Sequence, residues 1–126
     1  MSTLVIFRLI FLYQRIAGEA IFEIGKRLKH VKENDLAHGA FGKWLESIGM
    51  NDRVAQMMMK VSSELGTKTS TYSEIGLNTL YQIATLPPEQ REQAHTLASG
   101  ETKTVDEMTV RELREVKAEL KKENIK

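Results

Sequence analysis

Amide and cationic side chains are grouped near the middle of the chain, where they could bind nucleic acid. Asn51, Arg53, Gln56 and Lys60 all lie in the second half of FGKWLESIGMNDRVAQMMMKV, residues 41–61. Guanidinium and carboxamide groups pair with the base edges of guanine and adenine, and ammonium groups pair with phosphates. These residue types therefore predict contact with DNA, provided that one helix presents them together.

The same stretch has the layout of a helix-turn-helix. A first apolar helix is predicted over Phe41–Ile48, and Gly49 supplies the turn. Asn51 or Asp52 caps a second helix, which is expected to run to about Leu65. In such a motif the N-terminal residues of the second helix reach base edges in the major groove.

The two sides of the second helix follow from its helical period. Ala55 and Met58 are predicted to face inward. The apolar corner of the first helix is expected to consist of Trp44, Leu45 and Ile48. The outward positions are predicted to be Asn51, Asp52, Arg53, Gln56, Met57 and Lys60.

Two features of this stretch favour other interpretations. Asp52 would repel a phosphate, and the run QMMMK is unusually apolar for a surface that faces DNA. Methionine is a flexible residue that fills cores and adaptable protein interfaces. The two helices could therefore be core helices that read no DNA, or they could form a surface that docks on another protein.

A second group of basic residues lies upstream in KRLKHVK, residues 26–32. Such a run usually forms a solvated helix face, and the more specific alternative is that it contacts phosphates. Lys43, in the first helix of the motif, would also suit a phosphate. The full set of predicted DNA contacts is Asn51, Arg53, Gln56, Lys60, Lys43, Lys26, Arg27 and Lys29.

Other kinds of site have little support in the sequence. The chain has no cysteine, which excludes disulfides, zinc-thiolate sites and a cysteine nucleophile. His30, His38 and His95 do not have a metal-binding spacing. Because no catalytic motif stands out, we expect neither an enzyme nor a cofactor.

The composition is that of one folded domain with an uneven charge. The 126 residues are 41% hydrophobic and 28% charged, and the net charge is +1. Residues 1–60 hold 9 Lys/Arg and 6 Asp/Glu, a net charge of +3. Residues 61–126 hold 9 and 11, a net charge of −2. A nucleic-acid interface is therefore expected in the first part.

The N-terminal segment TLVIFRLIFLYQRIAG is strongly apolar. Arg8 divides its apolar run, and a spanning helix needs roughly 20 apolar residues, so no transmembrane segment is expected. A core or oligomerisation helix is favoured over a membrane-surface helix or a cleaved signal sequence. We therefore predict a cytoplasmic homodimer that forms largely through this helix, without a membrane partner.

Helical periodicity continues from this segment to Val31. Gly18 or Gly25 is expected to mark a kink or a close helix crossing, because glycine weakens a helix interior. The helix is predicted to end within KENDLAHG, residues 32–39.

The chain beyond residue 65 is interpreted as helices joined by polar loops. Residues 66–73, GTKTSTYS, predict a loop, and Ser73 opens a helix that ends at the Pro87-Pro88 pair. Pro88 then begins a short helix. Residues 100–108 predict another loop.

A capping box, in which Thr109 and Glu112 bond reciprocally to each other's backbone, is predicted to open the last helix. No strand is expected. The fold class is therefore all-α, with about six helices. The predicted domains are an N-terminal core or oligomerisation helix over 1–33 and a helix-turn-helix domain over 34–126, which together form one compact unit.

From about Ile16 to Lys121, the chain resembles a family of small phage- and prophage-encoded proteins of unknown function. The matching runs are IAGEAIFEIGKRLKHVKENDLAHGAFGKWLESIGMNDRVAQMMMKV, TLYQIATLPPEQREQAHTL and GETKTVDEMTVRELREVK. The resemblance implies a mobile-element protein and no assigned activity. The segment MSTLVIFRLIFLY is more apolar than the family's usual start.

Residues from about Gly39 to Leu120 are similar in order to the DNA-binding region of ParB/KorB-like partition proteins. That region has a helix-turn-helix, a helix that ends in an LP-x-E-x-R turn, and an LTVRE helix. The counterparts here are FGKWLESIGMNDRVAQMMMKV, LYQIATLPPEQRE and MTVRELREV. The partition family's nucleotide-binding box has no counterpart, so no CTP hydrolysis is inferred.

Together these observations predict a phage or mobile-element protein that binds duplex DNA through a helix-turn-helix of ParB/KorB type, as a regulator or accessory factor. The alternative is an interaction module that docks on a host or phage protein through its Met-rich helix.

Overall fold

A long helix, α1, covers Thr3–His30, and a π-helical turn over Val31–Asp35 follows it. The structure is a computed structural model, which describes residues 2–35 and 39–125. The Ser2 side chain caps α1 by accepting a 3.2 Å hydrogen bond from the backbone N–H of Val5. The helical geometry ends within the range predicted for it. Residues 36–38, including His38, lie outside the described residues.

The two helices predicted around Gly49 are present. α2 covers Phe41–Ser47 and α3 covers Asp52–Leu65. Their apolar residues form the core of this part of the chain together with α1. The buried members of this core are Leu28, Phe41, Leu45, Ala55 and Met59, and the half-buried ones are Trp44, Met50 and Met58.

α1 crosses α3 with the two backbones in direct contact. A Cβ atom built on Gly25 would lie 2.2 Å from the carbonyl oxygen of Met58, so only glycine fits there. At the same crossing, the Ser62 hydroxyl donates a 3.1 Å hydrogen bond to the carbonyl of Phe22. The expectation that a glycine marks a close helix crossing is confirmed.

The segment after α3 is more regular than the sequence predicted. Instead of a polar loop, a 3-10 turn over Gly66–Lys68 leads into the short helix α4, Thr69–Tyr72. Tyr72 and Ser73 are buried, and a Cβ atom on Gly18 would lie 1.4 Å from the Ser73 carbonyl oxygen. Ser73 therefore ends α4 against α1, and the prediction that it opens the next helix is wrong.

By its contacts the chain divides into two units, residues 1–77 and residues 78–126. α1 and the helix-turn-helix lie together in the first unit. The helix α5 covers Leu77–Ala84. Its first residue belongs to the first unit and the remainder to the second. Pro88 begins the short helix α6, Pro88–Arg91, as predicted.

Two very short strands follow in the second unit, and they correct the expectation that the chain has none. β1, His95–Thr96, pairs antiparallel with β2, Thr102–Lys103. Strands of two residues are too short to show the alternation that identifies a strand in a sequence. A 3-10 turn over Val105–Glu107 leads into the last helix, α7, Val110–Ile125.

The fold is thus mostly helical with one long N-terminal helix, as predicted. Within residues 2–35 and 39–125, no helix is long and apolar enough to cross a membrane.

Candidate nucleic-acid interface

The turn between α2 and α3 is a Schellman motif centred on Gly49. Gly49 has a φ of 73°, which favours glycine, and its N–H donates a 3.0 Å hydrogen bond to the carbonyl of Glu46. The N–H of Met50 donates a 2.9 Å hydrogen bond to the carbonyl of Leu45. Met50 also packs against the apolar core that contains Leu45. Local hydrogen bonds and packing therefore fix the entry into α3.

Asn51 caps α3 with its side chain. Its Oδ1 accepts a 3.2 Å hydrogen bond from the backbone N–H of Val54, as its position before the helix predicts. Asp52 follows in the first turn, where a carboxylate is stabilised by the helix dipole. The Asn51 amide nitrogen is the part of this side chain that would remain for contact with a base.

One side of α3 is exposed along its length. Positions 53, 56, 60 and 63 follow one another at helical spacing on this side, and all four side chains are exposed. We call Arg53, Gln56, Lys60 and Ser63 the outer strip of α3. Three of the predicted DNA contacts therefore lie together on one helix surface.

The opposite side of α3 is buried, and this burial corrects one predicted position. Ala55 is fully buried and Met58 is half-buried, as expected for inward residues. Met57 was predicted to point outward, but it is only 8% exposed. Met59 is buried as well. The burial of α3 is therefore wider than a single inward stripe, and both α1 and α2 pack on this helix.

Lys29 of α1 lies beside the outer strip of α3. Its Nζ donates a 3.2 Å hydrogen bond to the hydroxyl oxygen of Ser63. A shallow groove runs between the two helices at this point. It is lined by Lys29, Lys32, Glu33, Gln56, Met59, Lys60, Ser63 and Glu64.

The charges around this groove are mixed, with cations in excess. Lys60 Nζ lies 3.4 Å from Glu64 Oε1, one helical turn later on α3. Lys32 Nζ lies over the ring of Phe41, 5.7 Å from its centroid. Three lysines and two glutamates line the groove in all. Exposed ion pairs of this kind are weak, so a phosphate can compete for the lysines.

The remaining predicted contacts lie elsewhere on the first unit. Arg27 forms an ion pair with Glu23 on α1, and both side chains are well exposed. Lys26 is exposed and lines a second groove, together with Phe22, Lys29 and Ser62. Lys43 is exposed in the first turn of α2.

Arg91, in the second unit, closes the C-terminal end of α5. Its Nε donates to the carbonyls of Ile83 and Leu86 at 3.2 and 3.1 Å, and its Nη2 donates to the carbonyl of Ala84 at 2.9 Å. The last carbonyls of a helix have no partner within the helix. A cation at this end is also stabilised by the partial negative charge of the helix dipole. The arginine of the LP-x-E-x-R turn thus has a structural role.

The predicted capping box is present at the start of α7. Glu112 Oε1 accepts a 2.9 Å hydrogen bond from the N–H of Thr109, and Thr109 Oγ1 accepts one of 3.2 Å from the N–H of Glu112. Lys103 Nζ lies 3.0 Å from Glu112 Oε2. The Thr109 N–H and the Lys103 ammonium hold the pKa of Glu112 below its usual value.

A family model described as "Protein of unknown function (DUF3102)" matches residues 11–120. The chain belongs to this family. No curated protein and no solved structure matches the chain. The DUF3102 match begins within α1 and ends within α7, so it includes every predicted DNA contact. The apolar residues Leu4–Phe7, Leu9 and Ile10 lie outside it.

Within the DUF3102 range, the structure adds two residues to the candidate interface. Ser63 extends the outer strip, and Lys32 joins the groove. Helical spacing could have identified Ser63 from the sequence, because it lies seven residues after Gln56 and three after Lys60. Lys32 lies three residues after Lys29, within the basic run. In the part of the chain that the structure describes, no group of three His, Asp or Glu side chains is placed to hold a metal ion.

Proposed function

We propose that this protein binds duplex DNA through a helix-turn-helix in which α3 is the recognition helix. Arg53 and Gln56 contact base edges, and Asn51 lies beside them at the start of the helix. Cations on α1, α2 and α3 contact phosphates, namely Lys26, Arg27, Lys29, Lys43 and Lys60. In biological terms, we propose a regulator or accessory factor of a phage or another mobile element.

The outer strip of α3 is the observation that carries this proposal. A recognition helix must present polar residues from its first turns to the major groove while its other side packs on the domain. Arg53 and Gln56 are exposed within the first five residues of α3, and Ala55 between them is fully buried. A tight glycine turn and a side-chain cap hold the start of this helix in place.

The groove beside the outer strip supports contact with the DNA backbone. Phosphate contacts supply most of the affinity for DNA, and lysine is well suited to them. Lys29 is held next to α3 by its hydrogen bond to Ser63. Its ammonium therefore adds to that of Lys60 along one edge of α3.

The order of the sequence motifs gives further support, because it is similar to that of ParB/KorB-like partition proteins. Two of these motifs, however, also have a purely structural explanation. Arg91 holds the C-terminal end of α5 and Glu112 holds the start of α7, each through several hydrogen bonds. We therefore assign neither residue to DNA, and the proposal rests on α3 and the cations around it.

Docking on a host or phage protein through the Met-rich helix is the second candidate. Met57 and Met59 are buried, and Met58 is half-buried in contact with the core. This burial leaves little methionine surface for a partner, which is our reason for placing it second. Ile48, at the end of α2, is 49% exposed and is the apolar residue that favours this alternative.

A salt titration separates the two candidates. The wild-type protein is titrated with a labelled duplex of random sequence at increasing salt, and the logarithm of the binding constant is plotted against that of the salt concentration. If four or five cations contact phosphates, the slope should be roughly −4. No binding at low salt, or a slope near zero, would contradict the DNA proposal. Binding of a host protein that persists at high salt would favour docking.

A further inference from the structure

The first half of α1 has almost no packing partner among the described residues of the first unit. From Thr3 to Ala17 every residue is exposed, including large apolar side chains such as Phe7 and Tyr13. Buried positions on this helix begin at Gly18. Soluble proteins seldom expose contiguous apolar surfaces of more than a few hundred Å². An apolar surface of this kind indicates an interface.

One side of α1 carries apolar residues at a spacing of three and four residues over five turns. We call this side the seam. It consists of Ile6, Leu9, Ile10, Tyr13, Ile16, Ala17, Ala20 and Ile24. The average repeat of 3.5 residues is that of a coiled coil, in which it keeps one side of each helix against the other. None of these residues is buried.

Most of the seam lies on a different side of α1 from the contacts with the first unit, while Ala17 borders a groove that Ile75 and Gly76 also line. Gly18, Phe22, Gly25 and Leu28 are the buried residues of α1, and the glycines among them contact backbone atoms of Ser73 and Met58. The seam continues past Gly18 to Ile24, so α1 can pack on its own unit and on another helix at once.

We propose that the occupant of the seam is the same helix of a second copy of this chain. The charged residues before Gly18 are Arg8 and Arg15, which are seven residues apart and lie on another side of the helix. Over this part of the seam, two copies can therefore meet without bringing like charges together. Farther along α1, Glu19 and Glu23 form ion pairs with Arg15 and Arg27. An isologous pair of this kind is the commonest arrangement in soluble oligomers.

The apolar area available on the seam approaches what each partner buries in a dimer. Its six larger side chains are between 36% and 65% exposed. Together they offer on the order of 600 Å² of surface, close to the ~800 Å² that each partner buries in a stable complex. Ala17 and Ala20 allow two helix backbones to approach closely where the seam passes the first unit.

A lipid surface fits the seam less well than a second helix does. The two alanines add little apolar area for lipid, whereas they favour a close helix pair. Glu19 and Glu23 are exposed beside the seam, but each forms an ion pair with an arginine of α1, so their charges do not decide between the two occupants. The dimer does not depend on DNA binding and can be tested without DNA.

Sedimentation equilibrium of the full chain at micromolar concentrations tests the dimer. We expect the mass of two chains for the wild type and of one chain for Ile10→Glu, which places a charge on the seam. Phe11→Glu is the matched control, since Phe11 is similarly exposed on another side, and it should remain dimeric. Tyr13→Lys is a second seam variant and should also be monomeric.

Three results would overturn the dimer. The first is a monomeric wild type at every concentration. The second is a dimer that survives Ile10→Glu and Tyr13→Lys. The third is a monomer that sediments with vesicles of phosphatidylglycerol and phosphatidylcholine and loses this binding in Ile10→Glu. The last result would assign the seam to a lipid surface instead.

Discussion

Lys29 of α1 and Ser63 of α3 are joined by a hydrogen bond of 3.2 Å between Nζ and Oγ. The two residues are 34 positions apart in the chain. Their contact brings the basic run of α1 to the outer strip of α3, where the helix-turn-helix exposes its polar side chains. The sequence predicted both groups of cations, and the structure adds that Lys29 and Lys60 line the same groove.

Removing either lysine should weaken DNA binding in the same way on every sequence. The slope of the logarithm of the binding constant against that of the salt concentration should become less negative by about one in Lys29→Ala and in Lys60→Ala. Each variant would lose one phosphate contact. The slopes are measured with random duplexes. Lys121→Ala, at an exposed position of α7, is the control and should keep the wild-type slope. Unchanged slopes in both groove variants would show that this groove does not contact DNA.

The two roles assigned to Asn51 can be separated by two substitutions. Asn51→Ala removes the acceptor for the Val54 N–H, so the free energy of unfolding should fall by about 1 kcal/mol. Asn51→Asp keeps the cap and should unfold like the wild type, but its carboxylate should weaken DNA binding by repelling phosphates. Urea unfolding and duplex titration measure the two effects. If Asn51→Asp binds DNA as tightly as the wild type, this residue faces away from the DNA.

The crossing of α1 and α3 should not tolerate a side chain at Gly25. In Gly25→Ala the new Cβ would meet the Met58 carbonyl oxygen, and the helices would have to separate. We expect the free energy of unfolding to fall by at least about 2 kcal/mol. Gly42→Ala is the matched control, because nothing lies within 4 Å of a Cβ there, and it should be neutral or slightly stabilising. Equal stabilities would show that α1 does not pack in this way.

Features encoded by short-range contacts could be predicted from the sequence. Gly49 and Asn51 mark the turn because a left-handed backbone and a side-chain cap depend on adjacent residues. The same holds for Thr109 and Glu112, which bond to each other's backbone. These local signals gave the bounds of the helix-turn-helix and the start of α7 to within a few residues.

Features that depend on a second element could not be predicted in this way. A helical wheel assigned Met57 to the outer side of α3, because a single-sequence period shows one buried stripe and not the packing of two neighbours. Gly25 suggested a crossing without naming Met58 as its partner. The sequence around Arg91 does not indicate that its guanidinium reaches the end of α5, since that contact requires the chain to turn back after Pro88.

The Glu112 carboxylate, which accepts from the Thr109 N–H and pairs with Lys103, should make stability depend on pH. The pKa of Glu112 is lowered in the folded protein from its ordinary 4.5. Its ionised form therefore adds stability above that value, and this contribution is lost as the pH falls through the lower, folded pKa. Glu112→Gln should be less stable than the wild type at neutral pH, and the difference should shrink in acid. Urea unfolding at several pH values provides the test.

Glu89→Gln serves as the control for this pH series, because Glu89 is exposed at the start of α6. Its stability should lie within about 0.5 kcal/mol of that of the wild type at neutral pH. A stability difference for Glu112→Gln that stayed constant down to strongly acidic pH would show that the charge of Glu112 has no part in the cap.

Arg53 provides the most direct test of the account. A preferred duplex is first selected from a random pool, and wild type, Arg53→Ala and the exposed control Arg111→Ala are then titrated with that duplex and with a scrambled one. Arg53→Ala should lose about 1–3 kcal/mol on the selected duplex and little on the scrambled one, because it removes a base contact. Arg111→Ala should match the wild type on both. Undiminished binding of Arg53→Ala to the selected duplex would contradict the assignment of α3 as the DNA-reading helix.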